Sequence, residues 1–427
     1  MPKSLRTNSA IYILGTLFTK GSKFLLLPLY IIYLNKSEIG SLAVLEAIIA
    51  LMTNLLSFGL PAAIQRIGMN TSNKSYYSNI LVYKLVVGIL VILIILPLCY
   101  FLNFQVWWVH TCLAVLIGFL QSNLLIIENK FIAEESSLKH RSYTFLRFLI
   151  ITLLIATYVA LIEGGVTEIV VIQLVVLTLY NIHLILRLKV SEIKKIKEEK
   201  QSIAFGLHSL PFGLALWGLN MADRLVLESF VDLEALSIYS VGYQIASIII
   251  VVAMGIRDAW RPKLYKTLEN EHKHYTNSKV FIYYSWIIFL LCSGIPLISQ
   301  FIFDSFESLS QYTNSLRITS IVVIGMYFQS LSIALIGLLL YQNSAKLISQ
   351  ISIIIFLINL GLNIVFVPKY GIYACAYITI ITYLLQFTIT GIFVKRVFHN
   401  IYMNVFYLGV TIQSILFILT LKLITNS

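Results

Sequence analysis

The chain has very few charged residues. Only 12% of its 427 residues are Asp, Glu, Lys or Arg, against about 25% in ordinary soluble domains, whereas 59% are hydrophobic. Together with a mean hydropathy of +0.87, this scarcity of charge excludes a soluble enzyme of this size. Apolar stretches of about 20 residues, long enough to cross a membrane as helices, recur along the chain. The composition therefore predicts an all-α integral membrane protein.

Cysteines and cofactor motifs are also scarce. The four cysteines all lie in apolar stretches without CxxC spacing, so neither a disulfide framework nor a zinc site is expected: Cys99, Cys112, Cys292 and Cys375. No GxxxxGK[ST], GxGxxG or HExxH motif is present, which argues against hydrolysis of ATP and zinc-dependent hydrolysis. We expect no enzymatic activity, no catalytic residue, no metal and no cofactor. Any transport is expected to be driven by a gradient, of protons or sodium, or by consumption of the substrate.

Thirteen apolar segments are long enough to span a bilayer. They are residues 10–34, 39–60, 79–102, 106–127, 143–162, 166–186, 204–228, 235–256, 279–302, 317–341, 347–367, 372–394 and 403–424. The first twelve form the expected core, and the thirteenth is an additional helix. Most of the 31 Lys and Arg fall in the loops on the side of the N-terminus. The positive-inside rule therefore places the N-terminus in the cytoplasm.

The net charge of +12 needs no nucleic-acid partner, because this loop bias and contact with anionic membrane lipids account for it.

A polar segment from Lys189 to Ser202 divides the spans into two groups. The segments that follow the first and seventh spans are similar, LNKSEIGSLAVLEAIIALM and FVDLEALSIYSVGYQIASI, with Glu38 matching Glu234. We predict an N-terminal six-helix lobe over 1–188, a basic cytoplasmic linker over 189–203, a C-terminal six-helix lobe over 204–396 and an extra helix over 397–427. Such parallel repeats place a substrate cavity at their interface. The expected fold is two pseudo-symmetric six-helix bundles around a central cavity that works by alternating access.

Two lysines lie near the middle of the first span. Lys20 and Lys23 share one predicted helix face with Thr16, and ionisable groups at that depth are costly unless they face protein or water. Two interpretations stand. The lysines line a hydrated cavity where an anion binds, or one of them pairs with Glu46 in the next span.

Asp223 and Arg224 are a second intramembrane pair, in the seventh span. Adjacent residues on a helix point about 100° apart, so each is expected to pair with another helix, in a structural salt bridge or through a substrate contact. Lys84, Arg147 and Arg317 lie nearer the ends of their spans, and for these three we expect the side chain to extend to the membrane surface.

Several segments occur along the chain in a characteristic order. They are LNKSEIGSLAVLEAI, LLSFGLPAAIQRIG, NMADRLVLESF, IYSVGYQIASI with RDAWRPKLY, and NIVFVPKYGIYACAYITIITYLL. In their order and spacing they resemble polysaccharide flippases of the Wzx type, within the multidrug/oligosaccharidyl-lipid/polysaccharide exporter superfamily. The resemblance covers essentially the whole chain.

This resemblance implies a flippase that moves an undecaprenyl-pyrophosphate-linked oligosaccharide, a repeat unit of O-antigen, capsule or exopolysaccharide, across the bacterial inner membrane. A cationic cavity receives the pyrophosphate-sugar head group in such families. On this sequence Lys20 and Lys23 supply the charge, Arg66, Arg257 and Arg261 help to capture the head group, and Glu46, Asp223 and Arg224 serve gating or ion pairing. The protein is expected to be a monomer that works beside a glycan polymerase and a chain-length regulator.

Other functions remain open from the sequence. A cation-coupled multidrug exporter of the same fold would be expected to have a cavity dominated by carboxylates, whereas the deep charges here are chiefly basic. A flippase for the lipid-linked peptidoglycan precursor usually has fourteen spans. A membrane-embedded glycosyltransferase, polymerase or ligase usually needs a sizeable outer loop, and the outer loops here are short. A purely structural scaffold would have no use for buried basic residues.

Overall fold

The computed structural model of the protein describes residues 24, 26–68, 76–101, 108–134, 137–162, 164–186, 197–268, 274–397 and 406–414. Within these ranges the chain is helical throughout and forms no strand. The helices are α1 (26–33), α2 (Lys36–Leu56), α3 (Leu60–Ile67), α4 (Tyr76–Phe101), α5 (Trp108–Ala133), α6 (Ser137–Ile162), α7 (Val166–Leu186), α8 (Lys197–Glu228), α9 (Leu233–Leu268), α10 (His274–Ser305), α11 (Thr313–Tyr341), α12 (Ala345–Val397) and α13 (406–414). A 3-10 helix, Glu307–Tyr312, precedes α11.

The spans predicted from hydropathy coincide with these helices. Ten helices in the described part of the chain are long and apolar enough to cross a membrane. The longest, α12, is broken at Gly371, whose φ of 58° and ψ of −142° are not helical, so its two parts match the predicted spans 347–367 and 372–394. The predicted all-α membrane fold is therefore confirmed. The first and thirteenth predicted spans are described only in part, as α1 and α13.

Packing divides the chain into two compact units. One, which we name the N-unit, consists of residues 33–225, and the other, the C-unit, combines 226–427 with the first 32 residues. This grouping follows helix packing, whereas the predicted lobes were drawn from hydropathy and loop charge, so the lobe bounds stay a prediction. Residues 189–196 of the linker lie outside the described ranges, so the linker at 189–203 stays a prediction as well.

The two halves of the sequence have corresponding local structure. Asn35 caps α2 by accepting from the backbone N–H of Glu38 at 2.8 Å, and Asp232 caps α9 by accepting from that of Ala235 at 2.7 Å. The candidate spans with at least half of their most apolar segment buried are α2, α5, α9 and α11, the second and fourth spans of each half. The repeat inferred from the sequence is thus visible in the capping of α2 and α9 and in the burial of the second and fourth spans of each half.

Helices α2 and α3 of the N-unit are joined by a tight break against which α8 packs. Phe58 and Gly59 have positive φ values of 50° and 65°, and Pro61 follows in the first turn of α3. A Cβ atom placed on Gly206 of α8 would lie 2.6 Å from the carbonyl oxygen of Phe58. Farther along α8, the Trp217 indole N–H donates to the Ala47 carbonyl oxygen at 3.1 Å. Because the backbones of α8 and the break approach so closely at Gly206, only glycine fits at that position.

Substitution of Gly206 should therefore destabilise the N-unit. In Gly206→Ala the new methyl group meets backbone that has no rotamer with which to move away, and we expect a loss of about 2 kcal/mol, visible as a lower thermal unfolding midpoint in detergent. Gly213→Ala on the same helix is the matched control, because the nearest atom to its Cβ is the Asn54 side-chain oxygen at 3.6 Å. Both gain helix propensity, so their difference isolates the contact. Equal midpoints would contradict the prediction.

Candidate functional site

The two lysines proposed to line a cavity, Lys20 and Lys23, lie outside the described residues. Their role therefore stays a prediction. The first described helix is α1, in the C-unit. The carbonyl oxygen of Ile31 in α1 accepts a hydrogen bond from the side-chain amide of Gln311 at 3.1 Å. This contact ties the end of the first span to the 3-10 helix before α11.

Arg66 lies in the last turn of α3, in the N-unit. Its side chain is exposed, and its guanidinium lies 4.9 Å from the centre of the Phe205 ring of α8. The neighbouring Gln65 donates to the Asn129 side-chain oxygen of α5 at 2.7 Å. A cation held over an aromatic face keeps its charge available to a ligand from the open side, so this placement suits the expected role in capturing an anionic head group.

Arg257 and Arg261 lie one turn apart on α9, in the C-unit, and both approach Asp258. The guanidinium of Arg257 donates to the Asp258 carboxylate at 2.8 and 2.9 Å, and Arg261 lies 4.0 Å from the same oxygen. The cluster therefore has one net positive charge. Sequence reasoning missed Asp258, although its place between the two arginines in RDAWR was a visible signal.

Asp223 and Arg224 lie together near the end of α8, in the N-unit, and are 7% and 8% exposed. An Nη1 of Arg224 donates to the Asp223 carboxylate at 3.0 Å and to the Asn220 carbonyl oxygen at 2.8 Å. The two neighbours therefore pair with each other, which the expectation of partners on other helices did not include. The 100° between adjacent positions is bridged because the long arginine side chain folds back along its own helix.

Glu46 lies on α2 of the N-unit and is partly buried. It is one residue before Ala47, whose carbonyl oxygen accepts from Trp217 of α8. The N-unit therefore contains Glu46, Arg66, Asp223 and Arg224, and the C-unit contains Arg257 and Arg261.

Two of the three basic residues expected to extend to the membrane surface instead contact polar groups inside the N-unit. Arg147 of α6 lies 2.7 Å from the carboxylate of Glu128 on α5, and Lys84 of α4 is fully buried against α5. Both expectations are therefore wrong, since these two cations find polar partners on α5. The signal was available in the polar letters of QSNLLIIEN, residues 121–129, at the end of the fourth span and just beyond it. The third, Arg317, lies 5.0 Å over the ring of Tyr373.

The described part of the chain contains no group of three His, Cys, Asp or Glu side chains that could hold a metal ion. Among the residues whose side chains the structure describes, Cys112, Cys292 and Cys375 form no disulfide bond. What the described residues offer is a set of basic groups, several already held by carboxylates or rings. Such a set can bind an anion.

Comparison with family models matches residues 5–268 to the polysaccharide biosynthesis protein family. The chain belongs to this family. The match runs from the first predicted span to the end of α9, and it confirms the resemblance at the level of the family and its superfamily. Direct comparison with curated protein sequences gave no significant match.

Solved structures of transporters show the same fold. The MATE multidrug transporter DinF-BH, solved in complex with R6G, superposes with a TM-score of 0.66 at 16% identity, over 95% of this chain and 97% of that chain. An inward-facing multidrug resistance MATE transporter of the MOP superfamily gives 0.61 at 14% identity, over 90% and 94%. A Pyrococcus furiosus MOP superfamily transporter, described as having a binding pocket of reverse polarity, gives 0.54 at 14%, over 91% and 95%. The chain is thus a multi-pass membrane protein with the fold of these transporters.

Proposed function

We propose that the protein is a flippase for polyprenyl-pyrophosphate-linked oligosaccharide. The observation that carries the proposal is the membership of residues 5–268 in the polysaccharide biosynthesis family. A polyprenyl-linked glycan is assembled on one side of a membrane that its head group cannot cross unaided, because transfer of charged and hydroxylated groups into hydrocarbon is costly. A many-helix membrane protein without enzyme motifs is suited to carrying that head group across.

The basic residues support an anionic cargo. In this proposal Lys20 and Lys23 bind the pyrophosphate midway across the membrane. Arg66, together with Arg257 and Arg261, attracts the head group at the side predicted to be cytoplasmic. Asp258 leaves the Arg257–Arg261 cluster with one net positive charge, which suits a group that must be released again. Glu46, Asp223 and Arg224 act in gating by changing partners between states.

The proposed setting is the bacterial inner membrane with a cytoplasmic N-terminus. The chain works there as a monomer, beside a glycan polymerase and a chain-length regulator. A proton or sodium gradient, or consumption of the glycan on the outer side, drives the movement in one direction. The head group enters from one side and leaves on the other by alternating access.

A cation-coupled multidrug exporter is the second candidate, because structures with the same fold are described as multidrug transporters. A cationic drug needs carboxylates that can face it. Glu128 and Asp223 lie within ion-pair distance of Arg147 and Arg224, so their charges are already offset. This pairing favours the anionic cargo over the cationic one.

Depletion of the protein should cause a lipid-linked oligosaccharide to accumulate on the inner face of the membrane. The measurement is mass spectrometry of lipid extracts, with added glycosidase applied to right-side-out and inside-out vesicles to locate the glycan. Re-expression should restore export and empty the inner pool.

If depletion leaves the lipid pool and the surface glycan unchanged but makes the cells sensitive to cationic dyes, the protein is a drug exporter and the flippase proposal is wrong. If the purified protein forms a glycosidic bond, it is an enzyme and both transport proposals are wrong.

A further inference from the structure

The N-unit contains a lysine that the proposed transport mechanism does not use. Lys84 lies about two turns into α4 and its side chain is fully buried. Its ammonium nitrogen lies 2.5 Å from the Ser122 hydroxyl oxygen and 3.4 Å from the Phe119 carbonyl oxygen, and it also contacts the side-chain oxygen of Asn123. An ammonium group has three N–H donors, so these three oxygens use all of them.

The oxygens around Lys84 are held in place by bonds of their own. The Ser122 hydroxyl donates to the Phe119 carbonyl oxygen at 2.6 Å, and the Asn123 amide donates to the Asn181 side-chain oxygen of α7 at 3.0 Å. Asn181 in turn donates to the Leu120 carbonyl oxygen at 3.1 Å. These bonds keep the acceptor oxygens of Phe119, Ser122 and Asn123 turned toward the ammonium.

No carboxylate offsets the charge of Lys84 among its partners in the described residues. Its partners are a hydroxyl, an amide and a backbone carbonyl, with the Phe119 ring 4.7 Å from the nitrogen as a further neutral surface that attracts cations. The ring fits against Gly88, one turn farther along α4, and belongs to an apolar cluster with Leu56, Ile92 and Val115. Carboxylate pairing is the usual arrangement for a buried charge, whereas neutral oxygens that replace a hydration shell are typical of sites for metal cations.

We propose that Lys84 is a built-in cation, whose ammonium occupies an oxygen site that would otherwise take a monovalent metal ion such as Na⁺. The helices α4, α5 and α7 are then held together around an ammonium group that is covalently part of the chain, whereas a bound metal ion could leave the site. It follows that this site needs no sodium from solution. The proposal rests on the geometry of the N-unit and is independent of the cargo.

The test removes the built-in cation and asks whether sodium takes its place. In Lys84→Ala the oxygens of Phe119, Ser122 and Asn123 are left facing an unfilled space. In Lys84→Met the side chain keeps its bulk without the charge, so it is the matched control. A third variant combines Lys84→Ala with Asn123→Asp, which adds a carboxylate oxygen to the site. Each purified protein is unfolded thermally in NaCl and in choline chloride of equal ionic strength, and binding of radioactive sodium is measured.

We expect the unfolding midpoint of the wild-type protein to be the same in the two salts. In choline chloride, Lys84→Ala should unfold at a lower temperature than the wild-type protein. In NaCl it should recover part of this loss, up to a saturating sodium concentration, and it should bind sodium. The combined variant should do so at a concentration of sodium at least tenfold lower, because a charged oxygen ligand strengthens binding of a hard cation. Lys84→Met should be destabilised equally in both salts.

Three results would overturn the proposal. The first is saturable stabilisation of the wild-type protein by sodium that the Lys84 variants lose. The second is an absence of sodium-specific stabilisation and binding in both Lys84→Ala and the combined variant. The third is failure of these two variants to accumulate in membranes whichever salt is present, since sodium should then have rescued them.

Discussion

Replacing Lys20 and Lys23 together with alanine should abolish glycan export while the protein remains in the membrane at its normal level. The spacing of the two lysines places them on one face of the predicted first span, and each uncompensated charge at that depth costs about 2.5 to 3.5 kcal/mol on insertion scales. Removal of the lysines should therefore not harm insertion, and it removes the charge proposed to hold the pyrophosphate. The measurement is surface glycan per cell, normalised to the amount of the protein in isolated membranes.

The double exchange Lys20→Arg with Lys23→Arg is the matched control. Arginine keeps the positive charge and can bind phosphate oxygens with two donors, so export should fall far less than in the alanine variant. Lys346→Ala, at the start of α12, removes a basic residue outside the proposed site and should leave export unchanged. Normal surface glycan in the double alanine variant would show that these lysines do not bind the cargo. The flippase proposal itself would still be tested by the depletion experiment.

Arg147→Leu should lower the free energy of unfolding by about 3 kcal/mol, because it leaves the Glu128 carboxylate without its ion-pair partner. Removing one member of a buried pair typically costs about 3 to 5 kcal/mol. We expect the lower end, since the side chains of Arg147 and Glu128 are 17% and 11% exposed. The measurement is denaturant unfolding of the purified protein in detergent, or the thermal midpoint if unfolding is irreversible.

The double variant of Arg147→Leu with Glu128→Leu should recover most of this loss, because two apolar side chains leave no unpaired charge in the N-unit. Lys130→Leu on the same helix α5 is the control for an exposed pair. Lys130 and Glu134 are 3.8 Å apart with side chains 35% and 41% exposed, so its loss should cost less than about 1 kcal/mol. If Arg147→Leu and Lys130→Leu destabilise equally, Arg147 does not stabilise the N-unit through Glu128.

Charged residues inside the spans show where sequence reasoning was insufficient. Lys84 and Arg147 were expected at the membrane surface because they lie near the ends of their spans. The structure places both side chains against α5, where Ser122 and Asn123 accept hydrogen bonds from Lys84 and the Glu128 carboxylate balances the charge of Arg147. Depth along one helix is readable from sequence, but a partner on another helix is not, since the choice depends on how two helices are rotated against each other.

The same distinction applies to the candidate site. The sequence located Arg66, Arg257 and Arg261 at the ends of their spans. Arg66 lies in the last turn of α3, whereas α9 continues to Leu268, about three turns beyond Arg257 and two beyond Arg261. The sequence did not predict that Asp258 lies against both arginines of α9, or that Arg224 folds back to Asp223. Side-chain pairing of this kind depends on rotamers, which are selected by the surrounding packing.

The sequence by itself determined the membrane class, the spans and the repeat of the two halves, because length and hydropathy decide what can cross a bilayer and helices satisfy their own backbone there. It also predicted the separation of α12 into two spans, which Gly371 makes possible. Only the tertiary structure decided that most of α8 packs with residues 33–225, through the contact of Gly206 with the break after α2. That outcome depends on the fit of two backbones that are distant in the sequence, and no local pattern of hydropathy or charge encodes such a fit.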